Sequence, residues 1–303
     1  MTLPLADAAP DGATLDGATL DGATLDGATL DGATLDDAAL TALLDVARLT
    51  ADAARAPALA WFRAPALGVE DKGGAGWFDP VTAADRAVEA AMRAVLRARR
   101  PDDAILGEEA AATPGVSGLT WVLDPIDGTR SFISGAPSWG VLVALNDGAR
   151  PRIGIIDQPF TGERFEGVCG DGWSAATWRR GAQTRALSTR PCARLEDATL
   201  FSTYPEVGTA QDRLGFEAVR DRARLTRYGM DCYAYALLAL GCVDLVIEAG
   251  LQPYDVQALI PVIEGAGGVI TDWRGQPCPQ GGRVLAAGDA RIHAQALALL
   301  QSF

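Results

Sequence analysis

The chain has 303 residues, enough for one large domain or two packed ones with an ample core. Its formal net charge is −13, from 39 acidic and 26 basic residues, which argues against nucleic acid or an anionic membrane as a general partner. The five cysteines are odd in number and form no C-x-x-C pair. They favour a reducing, cytoplasmic location and free thiols over a disulfide framework or a zinc site.

The sequence contains a single histidine, His293, near its C-terminal end. One imidazole excludes Ser-His-Asp and Cys-His catalysis and His-rich metal sites, unless His293 itself takes part. Its position predicts an ordinary surface residue, so the chemistry is expected to rest on carboxylates. The N-terminus shows no signal-peptide pattern, and the most apolar long segment, 233–251, is interrupted by Asp244 and Glu248 and is not expected to cross a membrane.

Residues 11–35 are five tandem copies of DGATL. The repeat resembles that of pentapeptide β-helices, but five pentads make little more than one coil, which cannot bury its own apolar face. The alternative is a low-complexity and mostly disordered leader, and we favour it for residues 1–35.

Beyond the leader, periodicity and capping residues predict two helices. The first begins at Asp36 or Asp37 and is expected to end at Pro57, with an extended segment over 61–69. The second begins at Thr82 and ends before residue 101. A short strand over 104–106 and an apolar strand from Trp121 follow.

The remaining pattern predicts strands first and then an alternation of helices and strands. The strands are expected over 139–145, 152–157, 163–168 and 173–177. After them come a strand 198–203, helix 210–222, strand 224–228, helix 231–241, strand 243–248, helix 254–266, strands 268–273 and 283–287, and helix 289–301. We therefore predict an α+β or α/β fold, with an N-terminal subdomain over 36–148 that has an antiparallel sheet and most metal ligands, and a C-terminal α/β subdomain over 149–303.

The segment 121–140, WVLDPIDGTRSFISGAPSWG, concentrates the features of a phosphate site. Pro125 is expected to stop the strand at Asp124, and a second carboxylate, Asp127, follows. Gly128 allows a tight turn, and Thr129 can cap a short helix with its hydroxyl. Carboxylates gather hard cations and helix N-termini gather phosphate, so this segment indicates a metal-assisted phosphate site.

Other acids follow apolar runs or open helices elsewhere in the chain: Glu108 and Glu109 after ILG, Asp255 after Pro-Tyr, and Asp85 in the first turn of a helix. Each has a simpler interpretation. Thr82 and Asp85 fit a capping box, Asp255 fits an N-cap, Asp124 and Asp127 fit a turn, and Glu108 and Glu109 fit solvated loop charges.

Convergence of these acids would require cations. Two carboxylates about 4 Å apart repel by about 4 kcal/mol at an effective dielectric of about 20, and divalent cations turn that repulsion into binding energy. Oxygen ligands without histidine or cysteine favour Mg²⁺ or Mn²⁺.

Four motifs, DPVTAAD, GEE, DPIDGTRSF and PYDVQALIPVIEGAGG, stand in this order along the chain. In order and spacing they resemble the inositol monophosphatase family of Mg²⁺-dependent phosphomonoesterases, from about residue 37 to the end. The segments DGTRSFISGAPSWG, GMDCYAYALLALG and VDLVIEAGLQPYD are most similar to its histidinol-phosphatase branch. Inositol-specific members usually carry a different residue in place of Arg130 and a tryptophan in place of Tyr254.

The resemblance implies a layered αβαβα sandwich with a site for two or three Mg²⁺ ions, for which Mn²⁺ can substitute. The implied ligands of the activating metal are Glu108, Asp124 and the carbonyl of Ile126, and those of the second metal are Asp124, Asp127 and Asp255. Thr129 with Glu108 would orient the attacking water, and Asp85 would support a further metal or its waters. The N–H groups of Gly128 and Thr129 would bind phosphate, and Arg130, Asp231 and Glu248 would face the alcohol part of the substrate.

The resemblance thus implies a phosphatase that hydrolyses histidinol phosphate in histidine biosynthesis, acts on a small molecule and forms a homodimer. The acids Asp231 and Glu248 suit the ammonium and imidazole of that substrate better than the hydroxyls of an inositol ring. Two alternatives stay open: an inositol-1-phosphate or 3′-nucleotide (phosphoadenosine phosphate) phosphatase, and a non-catalytic scaffold.

Overall fold

The computed structural model describes residues 35–65, 69–71 and 80–303. The DGATL repeats before Leu35 lie outside the described residues. Nowhere in these three ranges does a helix combine the length and the apolar content that a bilayer crossing needs.

The helices of the described ranges are α1 (Asp37–Trp61), α2 (Ala83–Arg99), α3 (Thr129–Ile133), α4 (Ala210–Arg220), α5 (Asp231–Ala239), α6 (Pro253–Val256), α7 (Leu259–Gly265) and α8 (Ala290–Leu300). The strands are β1 (Val69–Asp71), β2 (Pro80–Thr82), β3 (Ala104–Gly107), β4 (Thr120–Asp127), β5 (Gly140–Asn146), β6 (Pro151–Gln158), β7 (Glu163–Cys169), β8 (Ser174–Arg180), β9 (Gln183–Ala186), β10 (Thr199–Ser202), β11 (Leu225–Tyr228), β12 (Leu245–Leu251), β13 (Val269–Thr271) and β14 (Gly282–Ala287). Most predicted elements are present with shifts of a few residues at their ends.

Two large sheets organise the part of the chain that the structure describes. The first has seven strands in the order β3-β4-β5-β6-β7-β8-β9, parallel only between β3 and β4. The second has five strands in the order β11-β10-β12-β14-β13 and mixes parallel and antiparallel pairs. The strands β1 and β2 form a separate antiparallel pair.

The helices cover these sheets in alternating layers. Helices α1 and α2 contact one face of the seven-stranded sheet, and α7 contacts the other face along β6, β7 and β8. Helix α5 contacts both α7 and β12, while α4 and α8 pack together on the outer side of the five-stranded sheet. The order is helix, sheet, helix, sheet, helix, which confirms the predicted αβαβα sandwich.

Strand alternation explains how one sheet serves two cores. On β4, Trp121 and Leu123 pack into the core under α1 and α2, whereas Val122 between them packs toward α5 and α7. Successive side chains of a strand point to opposite faces, so an apolar run buried on both sides is what a central sheet layer requires.

The subdomain boundary predicted after residue 148 is wrong. It falls in the turn between β5 and β6, which pair antiparallel within the same seven-stranded sheet. The chain leaves that sheet only after Ala186, and residues 35–303 form one compact unit. A hairpin turn and a domain linker share the same Asp, Gly and Pro signals, so composition alone did not separate them.

The two N-terminal helices begin where predicted but do not both end there. Asp36 caps α1 through the Ala39 N–H, and Thr82 and Asp85 form a reciprocal capping box at α2. Pro57 does not end α1, which continues to Trp61 and replaces part of the predicted extended segment. Proline costs a helix interior about 3 kcal/mol, and burial of the apolar face on both sides of it, including Ala54 and Ala58, offsets that loss.

Two further differences arise from local chemistry in the C-terminal half. The helix predicted over 254–266 is divided into α6 and α7, because Pro261 lacks the N–H that would bond to the carbonyl of Gln257. His293 is buried rather than at the surface: it is 8% exposed and its Nε2 lies 2.9 Å from the Thr271 hydroxyl. Burial lowers the pKa of this imidazole, so it stays neutral in the fold.

Candidate active site

The site begins where two parallel strands end side by side. Gly107 on β3 lies opposite Leu123 on β4, so the next residues, Glu108 and Asp124, leave the same edge of the sheet. The strand β4 does not stop at Asp124, as predicted, but continues to Asp127 with a register irregularity against β5. A bulge tolerates a proline because the missing N–H falls where the ladder is already interrupted, and Pro125 occupies that place.

The turn after β4 places Thr129 at the first position of α3. Gly128 has φ +82°, in the left-handed region, and takes the N-cap position, so the predicted capping role of the Thr129 hydroxyl is wrong. That hydroxyl instead donates to the Ile126 carbonyl at 3.2 Å and lies 3.5 Å from Asp85 Oδ1. The loop therefore holds Thr129 between the carbonyl expected to bind metal and a buried acid.

Asp85 forms the predicted capping box and also faces Thr129. Its Oδ2 accepts from the N–H of Thr82 at 2.8 Å and from the Thr82 hydroxyl at 2.6 Å, which is the capping box. Its other oxygen faces Thr129. Although fully buried, Asp85 thus links the start of α2 to the end of β4.

Three carboxylates converge at this strand end. Asp124, Asp127 and Asp255 each offer an oxygen, and these oxygens all lie within 4.8 Å of one another. Asp255 arrives from the other half of the chain on α6, where its Oδ2 accepts from the Gln252 N–H at 2.7 Å. Asp127 accepts from the Cys232 N–H at 2.6 Å, which ties the cluster to the start of α5.

The electrostatics of the cluster reflect burial and mutual repulsion. Burial raises the pKa of Asp124 well above its usual range, and the charges of Glu108, Asp127 and Asp255 raise it further. Burial, with neighbouring acids, also raises the pKa of Asp127 to about 8, and burial raises that of Asp255 to about 7 against the hydrogen bond from Gln252. The effect of Glu108 on both Asp124 and Asp255 brings the fourth predicted ligand into the same group.

The donor set fits a hard divalent cation. All the converging atoms are carboxylate oxygens, and burial, with repulsion among the neighbouring acids added to it, raises their pKa values. A divalent cation supplies the missing positive charge and favours the ionised form of each acid.

These pKa shifts predict an unusual pH dependence for the metal-free protein. An acid whose pKa is raised by folding stabilises the fold at low pH, and that contribution is lost as pH rises through the folded value. The pKa of Asp127 is about 8 and that of Asp255 is about 7. The free energy of unfolding in EDTA should therefore fall as the pH rises from about 4 to about 8, and Tm should drop by about 5 °C or more. Thermal melts in EDTA across this range would measure it, and Mg²⁺ should restore the loss at the upper end. A Tm in EDTA that stays constant or rises would contradict the prediction.

A cavity of about 500 Å³ extends from the carboxylate cluster along the start of α5 and the end of β12. Its walls include Asp127, Gly128, Thr129, Arg130, Asp231 and Glu248. The structure therefore brings all the residues predicted for phosphate and alcohol binding to one cavity. The guanidinium of Arg130 lies 5.1 Å from the centre of the Tyr204 ring, in cation–π geometry.

Asp231 is held in a conformation that needs support. Its φ is +47°, in the left-handed region that few residues other than glycine adopt. Its Oδ2 accepts from the hydroxyls of Ser131 at 2.5 Å and Ser138 at 3.1 Å. Burial raises the pKa of Asp231, while both serines and Arg130 act to lower it.

Glu248 is a second acid that lines the cavity, and it is buried. Its Oε1 accepts from the N–H and the hydroxyl of Thr203, both at 2.8 Å. Burial nevertheless raises the pKa of Glu248 to about 8. An acid with so raised a pKa in a cavity is suited to meet a cation or a hydrogen-bond donor of a ligand.

Sequence reasoning did not identify several supporting residues, among them Ser131, Ser138, Thr203 and Tyr204. Ser131 and Ser138 lie within the segment 121–140, close to Asp124 and Asp127. Two hydroxyls so near the predicted metal site could have indicated a supporting role. Thr203 and Tyr204 follow β10 and gave no signal of their own, because their role depends on the pairing of β10 with β12.

The comparison with protein families agrees with this geometry. Residues 39–302 match the model of the inositol monophosphatase family. The chain belongs to this family. It is therefore a phosphatase of a metal-dependent family of hydrolases that act on small phosphate monoesters.

Individual relatives give a mixed picture of the substrate. The chain is 45% identical over 233 residues to the bifunctional phosphatase IMPL2, chloroplastic, of Arabidopsis thaliana, covering 73% of this chain but 65% of that protein's length. It is 36% identical over 225 residues to a histidinol-phosphatase of Mycobacterium tuberculosis, covering 74% of this chain and 85% of the relative. A solved inositol monophosphatase of Zymomonas mobilis is 40% identical with a TM-score of 0.76, covering 87% of this chain and 99% of that one.

Proposed function

We propose that this protein hydrolyses L-histidinol phosphate to L-histidinol and phosphate with the help of Mg²⁺, in two or three sites that Mn²⁺ can also fill. The observation that carries the proposal is that two acids, Asp231 and Glu248, line the same cavity as the proposed phosphate-binding residues Gly128 and Thr129. A substrate whose alcohol carries an ammonium and an imidazole offers both acids a partner. The histidinol-phosphatase among the relatives supports the same substrate.

In the proposed site, Glu108, Asp124, the Ile126 carbonyl, Asp127 and Asp255 hold the metal. Bound Mg²⁺ would lower the pKa of the attacking water and neutralise charge on the ester oxygen. The Ile126 carbonyl already accepts one hydrogen bond from Thr129, and its second lone pair stays available for a ligand.

Thr129 is proposed to orient the attacking water together with Glu108. Its single hydroxyl hydrogen can be donated either to the Ile126 carbonyl, at 3.2 Å, or to Asp85 Oδ1, at 3.5 Å, and in both cases its oxygen remains an acceptor for a proton of the water. Asp85 thus acts through Thr129 in addition to supporting a further metal or its waters. Asp85 is held on α2 and Thr129 at the start of α3, so the water would be positioned before reaction.

The phosphate is proposed to bind at the turn after β4. The first N–H groups of a helix have no acceptor within the helix, and those of Gly128 and Thr129 lie at the cavity. The left-handed φ of Gly128 lets the backbone turn toward the ligand, and the carbon of a larger side chain would lie 2.7 Å from Asp231 Cγ.

The alcohol is proposed to lie between Arg130, Asp231 and Glu248. A cationic ammonium beside Asp231 or Glu248 favours their ionised forms and lowers their pKa values, so binding would release protons near neutral pH. Arg130 lines the same cavity as these acids, and its guanidinium stacks on the ring of Tyr204.

The deciding experiment compares kcat/KM for three substrates with Mg²⁺ present: histidinol phosphate, inositol 1-phosphate and 3′-phosphoadenosine 5′-phosphate. Histidinol phosphate should exceed both others by about tenfold or more, because charged hydrogen bonds contribute about 1.5–3 kcal/mol each. An excess of EDTA should abolish turnover. Faster hydrolysis of inositol 1-phosphate would instead favour the function of the Zymomonas mobilis relative, and no turnover on any substrate would favour a scaffold.

We also propose that the protein is cytoplasmic, as its scattered cysteines favour, and that it is a homodimer, as the family resemblance implies. Sedimentation of the purified chain would test the dimer directly. A single monomeric species at micromolar concentration would contradict it.

A further inference from the structure

A buried ion pair lies directly behind the backbone that carries Glu108. Glu89 and Arg93, one turn apart on α2, are 1% and 3% exposed, and Arg93 Nε lies 2.6 Å from Glu89 Oε1. Burying two charges is costly unless hydrogen bonds satisfy their remaining polar atoms. The other partners of the pair therefore indicate what it stabilises.

Those partners are the backbone atoms that follow Glu108. Glu89 Oε2 accepts from the N–H of Glu109 at 2.7 Å, and Oε1 accepts from that of Ala110 at 3.1 Å. Arg93 donates to the Ala110 carbonyl at 2.9 Å and to the Thr113 hydroxyl at 3.2 Å. Residues 108–110 belong to no helix or strand, so side chains of α2 supply bonds that regular structure does not.

The glycine before Glu108 fits the same arrangement. A side-chain carbon at Gly107 would lie 2.4 Å from Glu89 Oε1 and 2.8 Å from Arg93 Nη2. A larger residue would force the carboxylate of Glu89 and the guanidinium of Arg93 to shift, so glycine lets β3 pass this close to the pair as it stands. Gly107, the first residue of the GEE motif, thus packs directly against the ion pair of Glu89 and Arg93 on α2.

We infer that Glu89 and Arg93 are positioning residues for the metal site. They fix the backbone at 108–110 and so direct the Glu108 carboxylate toward Asp124 and Asp255. Fixing a ligand before binding removes conformational freedom that the metal would otherwise have to restrict. This inference depends on the proposed function only in assigning Glu108 as a metal ligand, and not on the identity of the substrate.

The test is Glu89→Gln, which keeps the size of the side chain but loses its charge and one of its two acceptors. Titration calorimetry with Mg²⁺ alone should give an apparent Kd about tenfold weaker than that of the wild type, in the range that outer-shell partners of metal ligands contribute. In turnover assays, the Mg²⁺ concentration for half-activation should rise similarly, while kcat at saturating Mg²⁺ stays within about threefold.

Asp103→Asn is the matched control. Asp103 is 2% exposed and accepts from Arg100, Ser117 and Trp121, but it lies just before the opposite end of β3. This variant should lose thermal stability and keep the Mg²⁺ affinity of the wild type. If both variants weaken Mg²⁺ equally, a general loss of stability explains the effect and the inference fails.

Arg93→Lys is the second variant, in case Glu89→Gln does not fold. It keeps a positive charge beside Glu89 but cannot reproduce both contacts of the guanidinium to Ala110 and Thr113, so it should weaken Mg²⁺ binding as well. Wild-type affinity in a folded variant of either kind would overturn the inference while leaving the proposed function untouched. A wild-type protein that binds no Mg²⁺ would overturn the metal mechanism and the inference together.

Discussion

Asp124→Asn is expected to lower kcat/KM about a thousandfold or more while the protein stays folded, because a metal contributes several kcal/mol to such a reaction. Asp124 is 2% exposed at the centre of the cluster and stands in both proposed ligand sets. Its replacement removes a charge that no other side chain can supply. Turnover of histidinol phosphate at saturating Mg²⁺ measures the loss, and circular dichroism shows whether the fold is kept.

The same variant should be more stable than the wild type when metal is absent. The pKa of Asp124 is raised by folding, so its ionised form opposes folding at neutral pH, and an amide of the same shape removes that opposition. In EDTA at pH 7.5, Tm is therefore expected to rise by about 3 °C. The control is Asp289→Asn at the start of α8, where Arg291 lowers the pKa of the carboxyl, so Tm should fall and activity should persist. Near-normal turnover by Asp124→Asn would refute the metal mechanism.

Asp231→Asn is expected to reduce kcat/KM for histidinol phosphate by about 10- to 100-fold, since a hydrogen bond to a charged group is worth about 1.5–3 kcal/mol. Asparagine is the safest replacement because it tolerates the positive φ of residue 231. The proposed role of Asp231 is to bind the cationic alcohol and not the phosphate. Hydrolysis of β-glycerophosphate, whose alcohol is uncharged, should therefore change by less than about threefold.

The control for this prediction is Glu206→Gln. Glu206 lines the same cavity but is exposed, where water and salt screen its charge. Its replacement should leave the ratio of the two activities almost unchanged. If Asp231→Asn reduces both activities equally, Asp231 supports the site as a whole and does not select the substrate.

The carboxylate cluster could be predicted from sequence because each acid is marked locally. Asp124 and Asp127 follow an apolar run with a proline between them, and Asp255 opens a helix. Strand ends and helix starts are readable from short segments, whereas the joining of these acids into one ligand set was implied by the family resemblance. The structure adds the parallel pairing of β3 and β4, which places Glu108 and Asp124 at one edge of the sheet. The alternation of strands and helices indicated an α+β or α/β fold, and the family resemblance implied the αβαβα layering.

Features that depend on packing could not be predicted in this way. Continuation of α1 through Pro57 depends on a buried face of alanines, and burial of His293 depends on where α8 meets β13. The short strand β9 has only exposed side chains, so no apolar alternation marks it. In each case tertiary contacts outweigh the local signal.

One missed feature did have a signal. On α2, Glu89 and Arg93 lie on the same buried face as Val88, Met92 and Leu96. Charged residues within an apolar stripe are unusual, because burying a charge requires a partner. Their position alone indicates a buried polar contact, although only the structure shows that it reaches the Glu108 backbone.

The edge position of β3 means that the proposed ligands should not all be released together. Strand β4 is flanked on both sides, by β3 and β5, whereas β3 has β4 on one side and a single bridge to Thr113 on the other. Local opening in proteins favours such edges over central strands. In hydrogen exchange, we expect the amides of β3 to exchange faster than those of β4, even though Glu89 accepts hydrogen bonds from the amides of Glu109 and Ala110 just beyond it. The site would then lose its ligands in steps, with Glu108 released while Asp124 and Asp127 keep their places.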